Sequence, residues 1–182
     1  MAKESLKVLT QNINLTELEE LNDKINTNSI NIEKMVDKIV DDYCSPLDNI
    51  MEKISQVLNS TIPPSDGELD EWSCKVSSVL YFTGEGVENI GIRQDISKAY
   101  LMDKYNNAYD SSTGTTISDK TADAELVSQK EQLINIIYTR AYKKAKQKLE
   151  AGTEMLNSIK KVISRRMNAY SLSVVDKGRF KE

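Results

Sequence analysis

The last third of this chain gathers cations at helical spacing. At about 100° per residue, Arg140, Lys143, Lys144, Lys161 and Arg165 fall on one arc, roughly opposite an apolar line through Ala145, Leu149, Leu156 and Ile163. Lys148 and Arg166 extend the basic set. Cations on one helix face suit phosphates or carboxylates, and Tyr138 and Tyr142 beside them offer rings on which exposed bases stack. The plain counterpart is a solvated lysine-rich face that keeps a long helix soluble, some of its cations paired with acids elsewhere in the chain.

Those acids lie at the other end. Residues 1–119 carry 10 Lys or Arg against 21 Asp or Glu, whereas residues 120–182 carry 14 against 7. Such polarity governs steering and choice of partner rather than fold, and it points to a binding protein. Within the acidic part, Asp66, Glu68, Asp70 and Glu71 cluster where a helix is expected to begin, and there they complement the positive end of its dipole. A second reading gives Glu68, Asp70 and Glu71 an outward role, as carboxylates offered to the basic nucleic-acid groove of a partner.

Catalytic and metal chemistry has little to work with. There is no histidine, and Cys44 and Cys74 stand alone, so zinc sites of the usual kind and Ser-His or Cys-His nucleophiles cannot be built. Asp41 with Asp42 and the acidic run are the only carboxylate candidates for a metal; helix ends explain both groups better, and neither a metal site nor a cofactor is expected. The glycines at 84, 86 and 91 match no phosphate-binding spacing and read as a turn between helices. The two cysteines read as small core residues. No run of about 18 uncharged apolar residues occurs, and the opening residues lack a signal-peptide pattern, so a cytoplasmic protein is expected.

The elements that carry these residues are helical. Composition and length suit a single all-α domain of 182 residues, about five shorter helices with one long basic C-terminal helix. Residues 1–14 read as a loose arm and 15–109 as the acidic helical part. In that part a T-x-x-E box at Thr16 and Glu19 opens a short first helix, and Asn26 to Ser29 break it from a second that ends near Cys44. Ser45 and Pro46 open a third, which stops before Pro63 and Pro64. Ser65 or Asp66 caps a fourth, ended by Gly84 to Gly86, and a fifth covers 90–109 with Ile96, Ala99, Tyr100, Tyr105 and Ala108 on its apolar side.

Residues 110–118 form a small polar segment suited to a hinge, residues 119–172 form the long basic helix, and 173–182 form a tail. The apolar stripe of the long helix runs from Leu126 through Leu133, Ile137 and onward to Met167 and Tyr170. Ala141, Ala145 and Gly152 sit along it, small enough to let another helix approach closely, from the same chain or from a second copy in a homodimer.

In length, acidic balance and the closing stretch IIYTRAYKKAKQKLEAGTEMLNSIKKVISRRMNAY, the chain resembles a longer family of the type II anti-CRISPR proteins of phages and mobile elements. That resemblance implies a non-enzymatic inhibitor acting in the bacterial host cell, which binds the effector nuclease with its guide RNA and stops target cleavage. The stretch from Ala124 to Tyr170, with its basic residues and the run Asn157-Ser158-Ile159-Lys160, is also similar to the recombination mediator of T-even phages. This second likeness implies single-stranded DNA binding, and the long acidic N-terminal part departs from it. A structural helical phage protein is the third expectation. Phosphate contact would fall to Arg140, Lys143, Lys144, Lys148, Lys161, Arg165 and Arg166.

Overall fold

The computed structural model describes residues 15–179, with side chains from 19 to 171; the arm at 1–14 and the last three tail residues lie outside that range. Three long helices account for nearly all of it: α1 (Leu15–Leu58), α2 (Asp66–Ser111) and α3 (Ile117–Arg179). At about 1.5 Å per residue they are roughly 66, 69 and 94 Å long. The all-α expectation holds, and the five shorter helices do not: the first three are one helix, and the fourth and fifth are another.

The expected breaks fail for local reasons. Asn26 to Ser29 contain neither Gly nor Pro, and each such polar residue disfavours a helix by well under about 1 kcal/mol. Thr27 Oγ1 also folds back onto the Asp23 carbonyl at 2.9 Å. Pro46 sits inside α1, where it removes one backbone bond at a cost of about 3 kcal/mol. Its neighbours Cys44 and Leu47 are fully buried, and their packing offsets that cost, so the helix continues past the proline. The Ser45 hydroxyl bonds to the Asp41 carbonyl beside it.

Gly84 and Gly86 lie within α2, and neither has a positive φ. Gly86 is instead a contact point: a Cβ there would stand 2.7 Å from Tyr43 Cβ on α1. Gly152 plays the same part on α3, where a Cβ would meet Leu80 Cδ2 at 2.8 Å and Leu47 Cδ1 at 2.9 Å. Glycine at these places lets helices approach, which outweighs its poor helix propensity.

The helices run up, down and up. Antiparallel pairing of α2 and α3 is fixed by Ser97 against Asn135, Gly91 against Tyr142, Leu80 against Gly152 and Asp66 against Arg166. The parallel course of α1 beside α3 shows in Asp37 against Lys144 and Asp48 against Lys148. Two apolar clusters join all three. One holds Val36, Val40, Cys44, Val87, Ile90, Ile137, Ala141 and Ala145; the other holds Ile54, Leu69, Val76, Leu156 and Ile159. Ala141, Ala145 and Gly152 are therefore spent on packing within the chain, and the homodimer face expected there is not available.

Both connections are tight. After Leu58 the chain turns through Pro63 and Pro64 to Ser65, which caps α2. In the segment read as a hinge, α2 continues to Ser111 and only residues 112–116 intervene before α3. Ser112 Oγ donates to Asp123 Oδ2 at 2.6 Å, and Thr116 and Asp119 cap the start of α3 reciprocally through Thr116 N–H to Asp119 Oδ2 (3.2 Å) and Asp119 N–H to Thr116 Oγ1 (3.1 Å).

Two stripe assignments change. Toward the α2–α3 turn the buried line of α3 passes through Ala124 and Ser128, while Leu126 and Leu133 are exposed. From Val87 onward the buried residues of α2 are Val87, Ile90 and Ser97, while Ile96, Ala99 and Tyr100 face out and Tyr105 and Ala108 are half-buried. Small residues let α2 and α3 come together on a line that a search for large apolar residues passes over. Cys44 is core as expected, but Cys74 is exposed on the outer side of α2, and both are free thiols.

Candidate partner-binding surfaces

The seven basic residues of α3 singled out above divide by direction. Those turned toward α1 and the first connection meet acids of the same chain. Lys144 Nζ donates to Asp37 Oδ1 at 2.5 Å, Lys148 pairs with Asp48, and Arg166 Nη1 donates to Asp66 Oδ1 at 2.7 Å and to the Pro64 carbonyl at 2.8 Å. The hydrogen bond to Asp37 raises the Lys144 pKa above the ordinary lysine value. These three cations hold helices together, and such partly exposed pairs contribute modestly, about 1 kcal/mol or less each.

Arg140, Lys143, Lys161 and Arg165 remain. All four are exposed, and among the described residues none has an ion pair or a side-chain hydrogen bond. They form two pairs whose centres are separated by roughly 32 Å along the helix at about 1.5 Å per residue. Exposed Glu150 and Glu154 lie on the same outward arc between the pairs, so the basic face is two patches with an acidic middle rather than a continuous strip. Arg140 and Lys143 also border an open seam whose other wall carries Glu33 and Asp37.

The tyrosines beside the cations are turned toward α2. Tyr142 packs against the first cluster and lies over Gly91, and Tyr138 is half-buried against a groove between α2 and α3. Neither stands out from the helix as a stacking platform.

The acidic candidates are placed as follows. Glu68 closes a capping box: the Ser65 N–H and hydroxyl both donate to Glu68 Oε2 at 2.7 Å, and the Glu68 N–H donates to Ser65 Oγ at 3.3 Å. These bonds hold its carboxyl below the usual glutamate range. Glu71 pairs with Lys75 one turn on, and Asp70 is exposed beside an open groove of about 490 Å³ with Ile163, Arg166 and Met167. Among the described residues no group of three or more Cys, Asp or Glu side chains is gathered to hold a metal ion, and no helix is long and apolar enough to cross a membrane.

Sequence reasoning missed the groove between α2 and α3 at the end near their connecting loop. It measures about 350 Å³ and is lined chiefly by apolar surface from Ile96, Tyr100, Ile134 and Tyr138, with Arg93 and Glu131 at its edges. The signal was present in the run Ile92, Ile96, Tyr100, which has helical spacing on a face that α3 does not cover.

No protein-family model, curated protein or solved structure matches this chain.

Proposed function

We propose that this chain is a non-enzymatic binding protein of phage or mobile-element origin, which docks on a guide-loaded type II CRISPR effector nuclease in the bacterial cytoplasm and prevents target cleavage. The observation that carries the reading is the outward face of α3: Arg140, Lys143, Lys161 and Arg165 stand free of the intramolecular acids that neutralise Lys144, Lys148 and Arg166. Two cation pairs on one rigid helix suit a phosphate backbone or an acidic protein surface. The choice of nuclease follows the likeness in length, acidic balance and closing helix.

Affinity capture with the effector, with and without nuclease treatment, tests the proposal together with a cleavage assay. Retention of the effector and loss of cleavage with guide and enzyme intact are expected, and replacing the four cations by Gln should weaken capture without lowering Tm. Full cleavage at excess protein refutes it.

The recombination-mediator reading draws on the same four cations. It expects single-strand binding whose logarithm falls by about 0.7 per contacted phosphate per decade of salt, so roughly 3 for four contacts. Against it stand the positions of the tyrosines: Tyr142 packs on the first core cluster, and Tyr138 lines the groove between α2 and α3 rather than the cationic face.

A further inference from the structure

The first turns of α1 leave the bundle. Each side chain from Glu19 to Asn28 is exposed, and among the described side chains Ile32 is the earliest on α1 packed on the core. The apolar stripe nevertheless continues outward: Leu21 and Ile25, both 56 % exposed, precede Ile32 at helical spacing. At the same end of the molecule α2 and α3 continue without α1, and the groove between them stays open, with Ile96 50 % and Tyr100 68 % exposed. Apolar surface left uncovered on both sides marks an interaction site.

The charges match as well. Glu131 Oε2 lies buried at the groove without a hydrogen-bond partner among the described residues, and a buried carboxylate oxygen left unpaired is costly. The arm of α1 carries one cation beside its apolar stripe, Lys24, between Leu21 and Ile25, and it carries Glu19, Glu20 and Asp23 for Arg93 on the groove edge. The arm does not reach its own groove by bending, because residues 15–45 contain no Gly or Pro at which a helix kinks. A second copy can supply its arm without distortion. Two-fold symmetry then forms the contact twice, which brings a small groove closer to the roughly 800 Å² per partner of a stable interface.

We propose that the chain self-associates as a symmetric dimer in which the α1 arm of each copy, through Leu21, Lys24 and Ile25, fills the groove of the other, Lys24 pairing with the partner's Glu131. Sedimentation equilibrium on the full chain should give twice the 20.5 kDa monomer mass. K24E and E131K should each raise the dissociation constant by about tenfold or more, and the K24E/E131K double variant should recover most of that loss. L21D/I25D, at exposed positions, should be monomeric with unchanged helical circular dichroism. A wild-type protein that is monomeric at its highest soluble concentration overturns the proposal, as does a dimer that survives L21D/I25D. Failure of the charge exchange to restore association overturns the Lys24–Glu131 contact.

Discussion

Gly84 and Gly86 make a matched pair for testing whether glycine in α2 serves packing. They lie two residues apart in one helix with negative φ, so Ala at either gains the same intrinsic helix preference, about 1 kcal/mol. Their surroundings differ. A Cβ on Gly84 has no atom within 4 Å outside its own helix, so Gly84→Ala should keep the full gain and raise Tm by about 2–4 °C for a chain of this size. A Cβ on Gly86 would stand 2.7 Å from Tyr43 Cβ, 2.9 Å from Cδ1 and 3.0 Å from Cγ. Tyr43 Cβ cannot rotate away, because it is bonded to the α1 backbone, so the two helices must separate. Overpacking of this kind costs about 1–3 kcal/mol, which leaves Gly86→Ala between neutral and about 2 kcal/mol destabilising. Thermal and urea unfolding of both variants beside the parent measure the difference. Equal stabilisation by the two substitutions would refute the contact of α1 with α2 at this height, and destabilisation by Gly84→Ala would refute a continuous helix through 84–86.

Thiol chemistry should separate the two cysteines: burial raises the Cys44 pKa, with Lys148 opposing and Asp48 and Asp41 assisting, so alkylation should label Cys74 quickly and Cys44 only on unfolding, as read by mass spectrometry. Acid should loosen the helix starts. Glu68 and Asp119 have lowered folded-state pKa values through bonds from Ser65 and Thr116; the stability they add is present above their unfolded values of about 4.3 and 3.9 and is lost as pH falls through the folded ones. The parent Tm should therefore drop below about pH 4 more than that of the E68Q/D119N variant, in which these caps are already weakened. Lys144 acts with the opposite sign: its raised pKa adds stability present below about pH 10.4 and lost as pH rises through the folded value, and K144M should flatten that alkaline fall. Arg166→Ala removes the bonds to Asp66 and Pro64 that fasten the first connection; allowing for solvent at this half-open site, a loss of about 1 kcal/mol and about 2–4 °C in Tm is expected.

Helical periodicity made the class of fold and the course of α3 readable, because Ile137, Ala141, Ala145, Leu156 and Ile159 recur on one face and are buried. The start of α2 was readable to within one residue, Ser65 or Asp66, since the residues that make the cap are neighbours in the chain. Helix count was not readable, because Pro46, Gly84 and Gly86 are local punctuation that the helices run through, and at Gly86 the deciding partner, Tyr43, lies 43 residues earlier in the chain. The fate of the cations was hidden for the same reason. Lys144 differs from Lys143 only in which side of the helix meets α1, and its acid lies 107 residues earlier. The interruption of the basic arc by Glu150 and Glu154 was visible in the sequence, and projecting the acids along with the cations would have shown it.

The lengths of the helices have a hydrodynamic consequence. A globular protein of 182 residues has a radius of gyration of about 16 Å, whereas α3 alone extends roughly 94 Å. Such a molecule tumbles and filters like a considerably heavier sphere, so its elution volume will mimic an oligomer even when one polypeptide is present. Only measurements that report mass independently of frictional drag distinguish stretched single chains from assembled ones.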